Sequence, residues 1–459
     1  MAERYDVIVV GAGPSGMAAA AEASATGLRV ALVDQQARVG GAYWRHRPEH
    51  AEADVTGLHH DWATFRRLLA RLDAVDVLTS HAVWSVDRDD DRFTVRATRG
   101  EVERAPVRLD ATHLVVASGA LERVQPFRGW TLPGVMTAGG AQALVKGTGV
   151  APGTRVLLAG TGPLLLVVAD TLLRAGVDVV AVAEAGHPFG YGLRPSSWSG
   201  VVSRSREAAT YVRTLASHRV PFHAGYRVVA AEGLDRVEHV TIESRRRRRR
   251  DYDVDALLVS DGFTPQLELL VQAGAQTRVD DDGSLVVAVD VGQRTDVPGL
   301  LATGEVTGVG GASLAMLEGY AAGRTIVGRE VAPALLERIA VHRRFARAMH
   351  AVHGVDPASI AALPDDEIVC RCEEVTAGRI RTACRTLGVD DARGAKLMTR
   401  AGMGMCQGRV CGRAVADLVA VASGRPADPD DALRWAGRLP AVPVTLAALA
   451  QDAVPGDEA

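Results

Sequence analysis

The chain has 459 residues, of which 47% are hydrophobic and 23% are charged, and its formal net charge is −3. This composition is typical of globular proteins, and the length leaves room for about three domains. A net charge so close to zero provides no basic field for nucleic acid or an anionic membrane, so neither is expected as a partner.

No secretory leader is expected, because Met1–Tyr5 is polar and leads directly into a strand. The longest apolar stretch, Val156–Leu173, is interrupted by glycine, proline and aspartate. It therefore predicts a strand, a turn and a helix rather than a transmembrane segment. With only five cysteines and no leader, a cytoplasmic location is predicted.

The chain opens with a βαβ unit that contains a glycine-rich turn. Strand Tyr5–Val10 leads into the first glycine turn, Gly11–Gly16, which opens an alanine-rich helix; strand Leu28–Val33 then ends at Asp34. In such a turn the first glycine permits the bend, the second admits a pyrophosphate and the third allows close helix packing. The helix N-terminus attracts phosphate, and Asp34 is placed to bind ribose hydroxyls. A dinucleotide site is predicted here.

A second, similar unit begins at mid-chain. Strand Arg155–Ala159 is followed by the second glycine turn, Gly160–Leu165, and strand Val177–Val182 ends shortly before Glu184. Gly160 and Gly162 are kept, but Leu165 replaces the third glycine. An acid at Glu184 favours NAD over its 2′-phosphorylated form. The alternative is a retained scaffold that binds something else or nothing.

A run of six arginines, Arg245–Arg250, suggests either a phosphate-binding patch or a solvated turn between strands Val237–Ser244 and Asp255–Ser260. We favour the turn, because the run is isolated and no basic face accompanies it. A third segment has strand Gly299–Ala302, the sequence Thr303-Gly304-Glu305 and a helix from Ser313, and a helical connector follows over Glu330–Val352.

Four cysteines near the C-terminus form two pairs, C-x-C at Cys370 and Cys372 and C-x4-C at Cys406 and Cys411. Thiols this rare and this grouped are typical of metal ligands. Zinc and an iron–sulfur cluster are both compatible with four thiolates. Cys384, between the pairs, is interpreted as a buried or incidental thiol.

The first 330 residues resemble the two-dinucleotide-domain flavoproteins that include the pyridine nucleotide-disulfide oxidoreductases. The resemblance rests on Ala117-Ser118-Gly119, where the family has Ala-Thr-Gly, and on Thr303-Gly304-Glu305, where it has a Thr-Gly-Asp-like turn. It implies FAD, with Glu305 at the ribityl chain and NAD(P) as an open alternative for the middle domain. No cysteine precedes Cys370, so a redox-active cysteine pair beside the flavin is not expected. The implied cofactor-binding residues are Gly11, Gly13, Pro14, Ser15, Gly16, Asp34, Gly41, Ala117, Gly119, Gly304, Glu305, Gly160, Gly162 and Glu184.

The sequences Cys370–Thr376 and Thr399–Gly412 resemble the bacterioferritin-associated-ferredoxin-like domain, a small helical fold. The resemblance implies a 2Fe–2S cluster held by the four paired cysteines. Gly402, Gly404 and Gly408 leave room for backbone amides to reach cluster sulfurs. The predicted fold is thus α/β, with two Rossmann-like domains and a small 2Fe–2S domain. Expected boundaries are 1–120 with 291–330 for the FAD-binding domain, 121–290 for the second, 331–366 for the connector, 367–424 for the cluster domain and 425–459 for the tail.

Over nearly its whole length the chain is similar to the FAD- and 2Fe–2S-containing alpha subunits of heteromeric amino-acid dehydrogenases. Members include the A subunit of opine oxidase, hydroxyproline dehydrogenase alpha subunits and the B subunit of hydrogen cyanide synthase. Motifs that carry the resemblance are Gly119–Arg123, Pro126–Val135 and Gly160–Leu165. They imply a hetero-oligomer in which a partner resembling D-amino-acid oxidase oxidises the substrate and this chain relays electrons. A small ferredoxin-like subunit is a further candidate partner.

Two other functions stay open: an NAD(P)H oxidoreductase that reduces its own cluster, and a non-enzymatic redox-sensing or iron-handling protein. No catalytic acid or base can be nominated. The histidines His59, His60 and His187, together with Tyr191, form no recognisable constellation in the sequence.

Overall fold

The computed structural model describes residues 3–48, 57–59, 61–89, 91–100, 104–187, 190–191, 209–354, 358–426, 428, 431, 433 and 437–453. Within this part of the chain, no helix has the length and apolar character that crossing a membrane requires.

The first unit is built around a seven-stranded sheet of mixed direction. Its strands are Glu3–Val10, Val30–Val33, Val75–Leu78, His81–Asp89, Arg92–Arg99, Ala105–Val116 and Leu300–Ala302. The long strand Ala105–Val116 pairs in parallel with Glu3–Val10 and with Leu300–Ala302, and antiparallel with Arg92–Arg99. Residues far apart in sequence therefore complete one sheet.

Two helices of this unit pack unusually closely. Helix Pro14–Ser24 lies against helix Ala312–Ile326. A Cβ atom at Gly319 would lie 2.1 Å from the Ser15 carbonyl oxygen, and one at Gly323 would lie 2.7 Å from that of Ala19. Small residues at these crossings let the two backbones touch, which brings the first glycine turn next to Gly304.

The second unit has a five-stranded parallel sheet and a three-stranded antiparallel sheet. In spatial order, the parallel strands are Phe222–Ala224, Asp178–Glu184, Arg155–Thr161, Ala256–Asp261 and Val135–Thr137. The antiparallel strands are Tyr226–Glu232, His239–Ser244 and Arg249–Asp253. Helices Ala138–Thr148 and Leu164–Arg174 cover the parallel sheet.

The arginine run is a hairpin rather than one long turn. The strand after His239–Ser244 is Arg249–Asp253, which contains the last two arginines of the run. Arg247 and Arg249 both pair with the buried carboxylate of Glu243. These contacts lower the pKa of Glu243, and the hydrogen bond from Arg249 has the largest effect. The solvated-turn interpretation is thus correct for 245–248 and wrong for the two strand residues.

Short elements connect the units. Strand Ala120–Glu122 pairs with Phe263–Pro265, Thr277–Val279 pairs with Leu285–Val287, and helix Glu268–Gln272 lies between these pairs. Other helical elements of this part are Trp62–Leu69, the helical stretch at 209–217 and the 3₁₀ turns Ala70–Leu72 and Glu305–Thr307. The connector is a single helix, Pro333–Val352, with proline at its first turn.

The C-terminal unit is small and mostly helical, with its own apolar core. Its elements are strands Ile368–Cys370 and Val375–Thr376 and helices Ala358–Ala361, Ala377–Leu387, Ala392–Thr399 and Gly412–Ser423. Part of the tail returns to the first unit: the Ala441 amide donates to the Trp84 carbonyl at 2.7 Å, and helix Leu446–Ala453 contacts strand Ala105–Val116. The fold class is as predicted.

Candidate functional site

The first glycine turn is shaped as a phosphate cradle. Gly11 has φ +103°, and a Cβ there would lie 2.3 Å from the Ala117 carbonyl oxygen. A Cβ at Gly16 would lie 1.8 Å from the Gly11 carbonyl oxygen. By contrast, nothing lies within 4 Å of a Cβ at Gly13. The open side of the turn at Gly13 and the helix beginning at Pro14 therefore fit the pyrophosphate of FAD.

Asp34 and Gly41 complete the wall of this cradle. Asp34 is buried and accepts hydrogen bonds from the Ala12 amide at 2.6 Å and the Gln36 amide at 2.7 Å. Burial raises the pKa of its carboxyl. Gly41 has φ +60°, and a Cβ there would lie 2.8 Å from the Gly13 Cα. These residues thus lie together, although ribose binding by Asp34 stays a prediction.

The Gly304–Glu305 turn lies beside the same helix N-terminus. The Ser15 and Thr303 hydroxyls are 2.8 Å apart, so the two ends of the FAD-type unit meet here. The two Glu305 oxygens accept hydrogen bonds from the Gly310 and Gly311 amides at 3.1 and 2.9 Å. Burial raises the pKa of Glu305 to about 7. Its carboxyl therefore caps the following helix, and its contact with a ribityl chain stays a prediction.

A buried ion pair supports this turn from behind. Glu318 accepts from the Gly304 amide at 3.1 Å and from the Thr307 hydroxyl at 3.0 Å. Arg343, on the connector helix, donates to Glu318 at 2.5 Å and to the Gly308 carbonyl at 2.9 Å. Neither Glu318 nor Arg343 was singled out in the sequence, because only the fold brings them to the turn.

The segment Ala117–Gly119 leads out of the first unit and is tied to the returning strand. The Ser118 hydroxyl donates to the Gln266 carbonyl at 2.7 Å, and the Gln266 side-chain amide donates to the Ser118 carbonyl at 2.8 Å. The Gln266 amide also donates to the Gly119 carbonyl at 3.0 Å. Gly119 has φ +74°, which suits glycine.

The second glycine turn resembles the first at its first glycine but differs at its second, because Gly13 has φ −75°. Gly160 has φ +134° and Gly162 has φ +104°. A Cβ at Gly160 would lie 1.9 Å from the Ser260 carbonyl oxygen, whereas one at Gly162 would have open space. Leu165, in place of a third glycine, is buried in the core under helix Leu164–Arg174.

The carboxylate associated with the second glycine turn, Glu184, already has hydrogen-bond partners within the chain. Glu184 is buried and accepts hydrogen bonds from the Gly162 amide at 3.0 Å and the Gly186 amide at 2.8 Å. His353, directly after the connector helix, places Nδ1 3.1 Å from a Glu184 oxygen. The Thr161 hydroxyl donates to the His353 carbonyl at 2.9 Å.

The far side of the His353 ring is also held. Its Nε2 lies 3.1 Å from the Tyr191 hydroxyl, and the Tyr191 ring stacks on Phe345 with the ring planes 1° apart. A Cβ at Gly186 would lie 2.9 Å from the Val352 carbonyl. The end of the connector therefore covers the position where Glu184 would meet a ribose.

The four paired cysteines converge, as a metal-binding set would. The Cys411 thiol hydrogen-bonds with those of Cys370 and Cys406, and Cys406 hydrogen-bonds with Cys372. Cys370 and Cys411 are buried, whereas Cys372 is exposed. These contacts link the four thiols in the order Cys370, Cys411, Cys406 and Cys372, and such a linked set of four fits a 2Fe–2S cluster. Cys384 lies on helix Ala377–Leu387, is half-buried and packs against the small core; that it is incidental stays an interpretation.

The electrostatics favour thiolates at Cys370 and Cys406, whereas the hydrogen bonds that Cys411 makes with these two thiols raise its own pKa. The hydrogen bond from Cys411 lowers the pKa of Cys406 to about 4 and that of Cys370 to about 6. The Gly402 amide also donates to the Cys370 sulfur at 3.4 Å, and the Gly408 amide donates to Cys406. Gly404 instead allows close packing between the two cysteine pairs, because a Cβ there would lie 2.3 Å from the Cys372 Cβ. Cys411 caps helix Gly412–Ser423, whose N-terminus favours negative charge.

The C-terminal unit, including the cysteine loop Thr399–Gly412, packs against the short elements that connect the first and second units. Arg409 pairs with Glu268 at 2.9 Å, and Arg123 pairs with Asp417 at 2.9 Å. Arg438, from the tail, donates to the Gly402 carbonyl at 3.1 Å. The two ion pairs join residues more than 100 positions apart, so no local pattern could have revealed them.

The aromatic and histidine residues noted in the sequence lie in different places. His59 lies 2.6 Å from the Arg45 carbonyl and packs against Trp62, and His187 lies beside Gly225. His60 lies outside the described residues. Tyr191 alone joins a site, through His353.

Known protein families match both the part of the chain with the two glycine turns and the part with the four cysteines. Residues 5–319 match the family described as pyridine nucleotide-disulphide oxidoreductase, and residues 368–420 match the BFD-like [2Fe-2S] binding domain. Among solved structures, that of L-proline dehydrogenase from P. horikoshii covers 98% of this chain and 80% of its own, with a TM-score of 0.71 and 23% identity. Thioredoxin reductase of T. acidophilum covers 71% and 98%, with a TM-score of 0.52 and 19% identity.

Two curated relatives match over most of their length. The A subunit of opine oxidase from Agrobacterium tumefaciens is 32% identical over 98% of this chain and 92% of its own. Hydrogen cyanide synthase subunit HcnB of Pseudomonas aeruginosa is 33% identical over 91% of this chain and 93% of its own. The chain is thus an FAD-dependent oxidoreductase with a 2Fe–2S domain, and it belongs to the pyridine nucleotide-disulphide oxidoreductase family, in the group that includes HcnB and the A subunit of opine oxidase.

Proposed function

We propose that this chain is the electron-transfer subunit of a heteromeric amine or amino-acid dehydrogenase. It takes electrons from a flavoprotein partner and passes them through FAD and the 2Fe–2S cluster to an acceptor. The proposal rests on one observation above all: the cysteine loop is bonded through Arg409 to Glu268, two residues beyond the Gln266 side chain that holds Ser118.

The cofactors supply complementary chemistry, since a flavin accepts two electrons and releases them singly and an iron–sulfur cluster carries one. The chain's own residues bind, position and enclose them. The first glycine turn and the Gly304 turn hold the dinucleotide, and the four thiols hold the cluster. No cysteine precedes Cys370, so a dithiol beside the flavin has no part in the proposal.

The substrate is oxidised, in this proposal, on the partner. We expect that partner to resemble D-amino-acid oxidase, and a small ferredoxin-like subunit is a further candidate. The opine oxidase relative and HcnB are both named as subunits, which supports a heteromer here as well.

The alternative, an NAD(P)H oxidoreductase, needs a nicotinamide nucleotide in the second glycine turn. The His353 contacts at Glu184 and Thr161 favour the relay over that alternative. A purely iron-handling role would leave the complete first glycine turn without a purpose.

The test is to ask whether a neighbouring gene encodes a second glycine-triad flavoprotein and to reconstitute this chain with its product. Co-expressed and co-purified, the two are expected to reduce a dye with an imino- or amino-acid substrate, with flavin and iron present in the complex. This chain alone is expected to oxidise no amino acid. Robust oxidation by the isolated chain would contradict the proposal.

A further inference from the structure

One short segment, residues 266–272, contacts both the flavin-binding unit and the cysteine loop. At its start, Gln266 makes three hydrogen bonds with Ser118 and Gly119, at 2.7, 2.8 and 3.0 Å. Ala117, next to this pair, lies against Gly11 of the first glycine turn. The segment is therefore fixed to the residues that line the dinucleotide cradle.

Two residues later, Glu268 of the same segment binds the cysteine loop. Glu268 accepts from Arg409 Nε at 2.9 Å, and these side chains are only 14% and 17% exposed. Arg409 Nη1 also donates to the Cys406 carbonyl at 3.2 Å. One arginine thus joins the carboxylate of one unit to the backbone of a cluster ligand in the other.

The segment holds the loop at a second point. The Gln272 side-chain amide donates to the Arg438 carbonyl at 3.0 Å, and the Arg438 guanidinium donates to the carbonyls of Gly402 and Gln407. Burial raises the pKa of Glu268, and the charge of Arg409 opposes that rise. Removing either charge would leave its partner uncompensated in a poorly solvated interface.

We propose that Glu268 and Arg409 are positioning residues for electron transfer, because they hold the cysteine loop at a fixed separation from the flavin-binding turn. This inference rests on the proposed function. With both groups bound, one electron at a time leaves the reduced flavin for the cluster, the flavin protons go to solvent, and ferricyanide as a one-electron acceptor reoxidises the cluster between the two transfers.

A matched pair of variants tests it in the full chain loaded with FAD and cluster. Glu268→Gln removes the charge at the cysteine loop. Asp417→Asn breaks the Arg123–Asp417 ion pair, which has the same 2.9 Å length, is 14% exposed on both sides and joins the same units, but through helix Gly412–Ser423; it also removes the 3.2 Å pair of Asp417 with Arg413 inside that helix. The flavin is photoreduced with light, deazaflavin as the catalyst and EDTA as the sacrificial electron donor, and transfer is followed by flavin absorbance and freeze-quenched cluster EPR.

We expect E268Q to slow transfer several-fold, since the rate of electron tunnelling falls exponentially with the separation of donor and acceptor, and D417N to leave the rate near that of the wild type. E268Q is also expected to raise the cluster potential, because Arg409 and Arg438 lose their counter-charge. Arg409→Lys keeps the charge without the fork, so it should slow transfer at an unchanged potential.

An E268Q rate equal to wild type, or equal slowing by both variants, overturns the inference. Should E268Q fail to hold its cluster, R409K against D417N gives the same comparison. Photoreduction needs no partner protein, so these outcomes are independent of whether the reconstituted complex oxidises amino acids.

Discussion

Removing the His353 imidazole is expected to open the second glycine turn to NADH. His353→Ala deletes the 3.1 Å contact with Glu184, a pair whose side chains are only 8% and 3% exposed. A hydrogen bond to a charged group contributes about 1.5–3 kcal/mol net. Each 1.4 kcal/mol is about tenfold in an equilibrium constant. The population in which the end of the connector has moved away from Glu184 should therefore rise about ten- to a hundredfold.

The apparent dissociation constant for NADH should fall by the same factor, because it equals the intrinsic constant divided by the open fraction. Some closure should persist, since the bond from the Thr161 hydroxyl to the His353 carbonyl does not depend on the side chain. Binding is measured by calorimetry and by NADH fluorescence. The control is Arg344→Ala, an exposed change on the same helix. Equal NADH affinity in wild type and H353A would refute the reasoning.

Three further outcomes are expected. Gly13→Ala should fold with unchanged thermal stability yet purify with little flavin, whereas Gly16→Ala should lose several degrees of Tm, because its Cβ would lie 1.8 Å from a backbone oxygen. In the apoprotein the pKa of Glu305 is raised from 4.5 to about 7, so the folded state holds a proton that the unfolded state releases. Between these values the free energy of unfolding should fall as pH rises, by at most about 3 kcal/mol; urea titrations of wild type and E305Q at pH 5 and 8 check this. Cys406→Ser should abolish the iron content and the cluster EPR signal, and Cys384→Ser should leave both intact; zinc with no iron in the wild type would contradict the cluster.

Local patterns in the sequence predicted both glycine turns and the cysteine pairs, because each depends on residues that are neighbours along the chain. Strand, turn and helix follow one another there, and the structure kept them with ends shifted by a few residues. The arginine run was harder, since two of its residues join a strand that packs beside Glu243.

Contacts between distant residues could not be predicted in this way. His353 and Glu184 are 169 positions apart, and nothing near either one marks the other as a partner. The role of Glu305 also depended on three dimensions, because its carboxyl bonds the amides at Gly310 and Gly311. The family resemblance alone assigned it to a ribityl chain.

The closure of the first sheet also has a consequence for biosynthesis. Strand Leu300–Ala302 and the Gly304 turn belong to the same unit as Glu3–Val10, but the ribosome makes them only after the entire second unit. A nascent chain therefore leaves one edge of the last residues of strand Ala105–Val116, Leu114–Val116, unpaired until that point, and such long-range pairing forms slowly. Flavin loading must accordingly wait for a nearly finished chain, and fragments that stop before residue 300 should emerge without flavin.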